Sequence, residues 1–240
     1  MENKNLSTEE IIGIIGAMDD EVTALKEAAH VSKVTPIAEM EYNEGQLGST
    51  KVVIVKCGMG KVNAGICAST LINYFGCTKI INTGVAGSLD NSLDIGDIVV
   101  SVDAVQHDFD VEAIGFAKGE IPYTGLYAFP ADETLRKQAM EAIKEVASDI
   151  KGVEGRVCSG DQFIVSSEQK QTITSNFGGL CAEMEGGAVA QVCYLSHVPF
   201  VIIRAISDKT DGSQHIEFDK FTKVAAKNCI KIIEYIVKNN

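Results

Sequence analysis

The chain has 240 residues and a formal net charge of −12, with hydrophobic residues at 45% and charged residues at 22%. These values fit an ordinary soluble globular protein with enough chain for one large α/β domain. They exclude a nucleic-acid binder, which needs a clustered basic face: the lysines are scattered, and arginine occurs only as Arg136, Arg156 and Arg204.

The polar start, MENKNLSTEE, lacks the basic and apolar regions of a signal peptide. No apolar run reaches the roughly 18 residues that a membrane span needs. Residues 1–9 are expected to form a flexible extension of a single domain covering 1–240, in a cytoplasmic protein without membrane partners. Seven cysteines, an odd number with no C-x-x-C pair, sit mostly in apolar runs. They read as small buried hydrophobes rather than disulfides. The four histidines show no H-x-x-x-H or H-E-x-x-H spacing, so no metal site is expected.

In chain order, IIGIIG at 11–16 reads as a buried strand. Asp19 or Asp20 can cap the following helix. Glu21 can compensate the dipole of that helix, or it can stand at the carboxyl end of the first strand, where open α/β sheets build their sites. The glycines of 13–16 fall inside the strand, so they are not a dinucleotide fingerprint. Residues 41–56 predict a β-hairpin. Gly58-Met59-Gly60-Lys61 lacks the remaining P-loop residues and predicts a tight turn that lets backbone approach a ligand or a strand. A helix rich in small residues follows. Another strand, 79–87, ends in Gly84 and Gly87, and a further strand ends near Gln106.

His107-Asp108-Phe109-Asp110 reads as structural, because G-x-S-x-G and triad spacing are absent. The stretch 111–130 predicts a long irregular segment, and its aromatic residues suit a subunit contact. A helix follows, then a strand running into Ser159-Gly160-Asp161-Gln162-Phe163-Ile164. Phe163 is either core or a surface for stacking a flat ring. Residues 181–208 carry Glu185 at the start of a helix and Asp208 at the end of a Val/Ile-rich strand, with a last helix at about 218–237. Alternating strands and helices plus a hairpin predict a mixed sheet covered on both faces.

Seven motifs together carry a resemblance to a family. They are GIIGAMDDEV at 13–22, GMGKVNAG at 58–65, NTGVAGSL at 82–89, GDIVVS at 96–101, SGDQFI at 159–164, AEMEGGAVA at 182–190 and RAISD at 204–208. In that order, over about 11–237, the chain resembles the 5′-methylthioadenosine/S-adenosylhomocysteine nucleosidases of the nucleoside phosphorylase superfamily. The resemblance implies a three-layer α/β/α sandwich with a mixed central sheet, usually a homodimer, and no cofactor. It implies hydrolysis of the bond between adenine and the ribosyl group of methylthioadenosine, S-adenosylhomocysteine and 5′-deoxyadenosine, in methionine salvage and removal of methyl-cycle by-products.

Such a reaction needs an acid at adenine N7, a base for the attacking water, and acceptors for the sugar hydroxyls, close to the logic of inverting glycosidases. By resemblance, Asp208 is the acid, Glu21 the base, Glu185 the ligand of the ribose hydroxyls and Arg204 a residue that positions the water. Phe163 stacks on adenine and Ile164 reads its edge through main-chain groups. Met59 and Met184 line the ribose and alkylthio side, and Gly87, Ser207 and Phe218 complete the pocket. Val111, Ile114 and Pro122 of a partner subunit wall the 5′ end. Val85 stands where many relatives have serine, and Ile114 where phenylalanine is common.

Two rivals remain. A purine nucleoside phosphorylase would need cations for phosphate, yet no arginine precedes Arg136. A non-catalytic nucleoside-binding protein of the same fold would have no use for all three acids.

Overall fold

The computed structural model describes residues 9–210 and 218–239, without the side chains of 218–226. Its spine is β1 (Ile11–Gly16), flanked in parallel by β4 (Thr50–Lys56) and β5 (Lys79–Ser88). These strands are apolar almost throughout because both of their faces are covered. β3 (Met40–Leu47) makes the expected hairpin with β4, and β2 (Lys33–Ile37) adds an antiparallel edge that the sequence reading lacks.

On the other side of β5 the sheet curls. β10 (Phe200–Asp208) lies parallel to β5 and antiparallel to β6 (Ile98–Gln106). β6 continues to β8 (Gly152–Ser159), β8 to the short β9 (Cys181–Glu183), and β9 returns to β5. Five strands therefore close a ring whose last member, β9, is also missing from the sequence reading. β7 (Phe129–Pro130) pairs with β6.

Period-two alternation assigns the two faces. Ile12, Ile14, Val52, Ile54, Val201 and Ile203 face α1 (Asp19–Ala28), α3 (Glu133–Val146) and α6 (Phe218–Lys238). Ile15, Val53, Val55, Ile202 and Ile206 face α2 (Lys61–Asn73) and α5 (Gly186–Leu195). α4 (Ser167–Phe177) packs over Val105 and Cys158. Each fully buried isoleucine contributes about 1.5–3 kcal/mol. All seven cysteines are free and buried.

Two local expectations change. Neither Asp19 nor Asp20 caps α1; the Glu21 side chain turns back to the orphan amides instead, since its longer stem reaches Ala17 and Met18. The aromatic residues of 111–130 also divide. Phe129 is fully buried core and the half-buried Tyr127 stacks on Phe177 at the edge of the core, whereas Tyr123 is 99% exposed and the nearby Ile114 71%. No described helix is long and apolar enough to cross a membrane. Residues 1–8 of the expected N-terminal extension lie outside the described residues.

Candidate active site

The strand ends of β1, β5, β9 and β10 open on a cavity. Its wall includes Glu21, Glu185 and Asp208, and, of the other residues singled out in the sequence, Met59, Val85, Gly87, Phe163, Ile164, Met184 and Ser207. The side chain of Phe218 lies outside the described residues. Val111, Ile114 and Pro122 do not line this cavity within one chain.

Glu21 is 3% exposed. Its Oε2 accepts from the amides of Ala17 (2.7 Å) and Met18 (3.0 Å), and its Oε1 accepts from the Val85 amide at 3.2 Å. Burial pushes this carboxyl above its ordinary range, against the opposing pull of Arg204 and the three amides. A carboxylate so raised is a stronger proton acceptor than an ordinary one. Gly84 makes room for it: a Cβ there would stand 2.6 Å from Glu21 Oε1.

Glu185 precedes α5, and its Oε1 accepts from the Gly60 amide at 2.8 Å. Gly58 and Gly60 have φ of 81° and 97°, so the turn that presents this amide requires glycine. Burial, with Glu183 beside it, pushes Glu185 up to about 7.

Asp208 gains its place from a bulge. Ile206 pairs with Ala86 and Asp208 with Gly87, leaving Ser207 as the extra residue. Such a bulge re-aims the side chain that follows. Gly87 again leaves the space: a Cβ there would meet Asp208 Oδ1 at 3.0 Å. Lys170, from α4, donates to the same Oδ1 at 2.5 Å.

Arg204 is fully buried and does not line the cavity. It donates through Nε to Glu183 Oε2 at 3.1 Å and through Nη2 to Asn82 Oδ1 at 2.6 Å, with a further Nη2 contact to Glu183. Its Nη1 lies beside Gly84, as does Glu21 Oε1. Burial alone would lower the guanidinium's proton affinity; Glu183, Glu185 and Glu21 outweigh it and hold it raised.

Glu183, Lys61, Asp108, Asp161 and Lys170 are site-building residues that the sequence reading did not assign. Glu183 accepts from the Gly186 amide, from Ser159 Oγ and from Arg204, tying α5, β8 and β10 together. Lys61 Nζ reaches Asp108 Oδ1 at 2.6 Å, while Asp161 Oδ1 accepts from the Lys61 amide and Asp108 Oδ2 from the Asp161 amide. This clamp joins the Gly60 turn to the loop that carries Phe163. Burial opposes ionisation of Asp108, but Lys61 and the Asp161 amide hold it below its ordinary range. The structural reading of His107-Asp108 thus holds, with the cavity frame as the structure served. Phe163 is 53% exposed on the cavity wall and is therefore not core.

The cavity thus stands at the carboxyl ends of these strands, lined by carboxylates and a presented aromatic ring; the family model of the phosphorylase superfamily matches residues 11–238, and the chain belongs to that superfamily. A 5′-methylthioadenosine/S-adenosylhomocysteine nucleosidase of Staphylococcus carnosus is 40% identical, covering 95% of this chain and all of the relative. A nucleosidase of the same name from Neisseria meningitidis, solved with methylthio-immucillin-A, superposes with a TM-score of 0.92 at 36% identity, over 96% of this chain and all of that one. A futalosine hydrolase of Helicobacter pylori superposes with a TM-score of 0.90 at 33% identity, over 96% and 98%. Within the superfamily, the protein is a member of the 5′-methylthioadenosine/S-adenosylhomocysteine nucleosidase family.

Proposed function

We propose that this protein hydrolyses the N-glycosidic bond of 5′-methylthioadenosine and S-adenosylhomocysteine, and of 5′-deoxyadenosine, releasing adenine. The observation that carries this reading is the meeting of Glu21, Glu185 and Asp208 on one cavity wall. Asp208 protonates adenine N7, the C1′–N9 electron pair passes to the purine, and positive charge develops at C1′ and the ring oxygen. Glu21 takes a proton from the water that attacks C1′, and Arg204 steadies Glu21 from behind. Glu185 accepts from the ribose hydroxyls, Phe163 stacks on adenine, Ile164 meets the purine edge, and Met59, Met184, Gly87 and Ser207 enclose the sugar.

A cytoplasmic homodimer is part of the proposal, with Val111, Ile114 and Pro122 of one subunit walling the 5′ end of the other subunit's site. The exposure of Ile114 and Tyr123 supports that contact. Hydrolysis is favoured over phosphorolysis because, among the described residues, the cavity wall carries carboxylates and neither lysine nor arginine. A phosphate would be repelled there.

The test is adenine release, with and without phosphate, from methylthioadenosine, S-adenosylhomocysteine, 5′-deoxyadenosine, adenosine, inosine and futalosine. Phosphate-independent release from the first three is expected. A strict phosphate requirement with ribose-1-phosphate as product would make the protein a phosphorylase. Binding without release would make it non-catalytic, and turnover of futalosine alone would reassign the substrate.

A further inference from the structure

Lys170 sits on α4 at 2% exposure, and its ammonium reaches the end of β10. Nζ donates to Asp208 Oδ1 at 2.5 Å and to the Lys209 carbonyl at 2.6 Å. The two side chains of this ion pair are 3% and 5% exposed, against 44% and 71% for Lys56 and Asp19. An ammonium is carried into such a place only with a matched partner, because desolvation opposes it. The Gly87 backbone also closes on the same carboxyl: a Cβ there would stand 3.0 Å from Oδ1 and 3.2 Å from Oδ2. Asp208 is therefore held between a charge and a strand.

We propose that Lys170 is a positioning residue for the acid step. It holds Asp208 Oδ1, leaving Oδ2 to serve purine N7, and it stabilises the carboxylate that forms when the proton leaves. This assignment rests on the nucleosidase reading. The proton passes from Asp208 to N7, the C1′–N9 pair goes to the leaving base, and Lys170 keeps its own protons throughout. In the free site the pair is ionic; in the purine complex Asp208 carries the proton that N7 takes, and the pairing with Lys170 is restored as that proton leaves, so it strengthens towards the transition state, which is where an interaction accelerates a reaction.

A plain anchor between α4 and β10 would behave differently when the leaving group changes. p-Nitrophenolate departs without protonation, so a 5-methylthioribosyl p-nitrophenyl glycoside still needs Glu21 and Glu185 but not the acid. Lys170→Met is expected to lower kcat for adenine release about 10²-fold with KM within about 3-fold, and to leave p-nitrophenolate release within about 3-fold. In an Asp208→Asn background it should cost residual adenine release nothing further. Removing one member of a buried pair strands the other, so Lys170→Arg and Lys170→Gln are measured alongside. The first should stay within about 10-fold of wild type and the second should follow Lys170→Met. Equal losses on both leaving groups, additivity with Asp208→Asn, or undiminished adenine release by Lys170→Gln would overturn the assignment. A wild-type protein that releases no adenine would instead overturn the nucleosidase reading on which it rests.

Discussion

The Val85 amide donates to Glu21 Oε1 at 3.2 Å across 64 positions of sequence, joining β5 to the start of α1. The carboxyl is thereby fixed on one oxygen by a strand and on the other by the two amides that lead into the helix. A base held at three points can take a proton without reorganising. Glu21→Gln keeps the size of the side chain and removes the base. Adenine release should fall about 10²–10⁴-fold with little change in KM. Steady-state kinetics on methylthioadenosine would check it; an unaltered kcat would assign the base elsewhere.

Asp208→Asn should lower adenine release about 10²–10⁴-fold, to a small residual rate, while adenine still binds. An amide in the Asp208 position keeps a hydrogen-bonding group at the base but has no acidic proton for N7. Calorimetric titration with adenine beside the activity assay separates the two effects. Near-normal turnover would take Asp208 out of the acid role.

Glu185, pushed up to about 7, gives a pH-dependent stability term. A carboxyl that holds its proton more tightly folded than unfolded adds stability that is fully present in acid, below its unfolded value, and is lost as pH rises through about 7. Glu185→Gln carries no such proton. Relative to wild type it should therefore gain stability between about pH 5 and about pH 8, on the order of 2 kcal/mol. Urea unfolding of both proteins across that range measures the double difference; a difference that does not change with pH contradicts it.

Gly84→Ala would bring a methyl group within 2.6 Å of Glu21 Oε1 and 3.2 Å of Arg204 Nη1. Both groups are buried and hydrogen-bonded, so neither can swing into solvent. Loss of stability of about 1–3 kcal/mol is expected, with kcat reduced more than KM is raised. Thermal melts and kinetics together would show it; a variant with wild-type kcat would mean that Glu21 tolerates displacement.

The sequence made the strands legible because strands covered on both faces read as continuous apolar runs, as in β1, β4 and β10. It also exposed Glu21, Glu185 and Asp208, since acids just past an apolar strand or at the start of a helix stand out. β2 and β9 escaped. The first has an exposed, polar edge, and the second is three residues long and buried in a stretch that reads as loop. Glu183 escaped for the same reason: beside Glu185 it looks like a second solvated acid, and only the buried Arg204 gives it meaning. Lys170, in SEQKQTI, carries no local sign of burial, because its partner arrives from a different element.

The ring of β5, β10, β6, β8 and β9 has a consequence for synthesis. A chain is made from its N-terminus at about 5–20 residues per second. Residues 200–208 are the last of the five ring strands to be made, yet they are the strand that fills the gap between β5 and β6. Until then both of those strands present unpaired edges to any neighbour. A ribosome-bound nascent chain stopped before Phe200 should thus be the most aggregation-prone species this gene product passes through, and the arrival of a single strand both seals it and delivers Asp208.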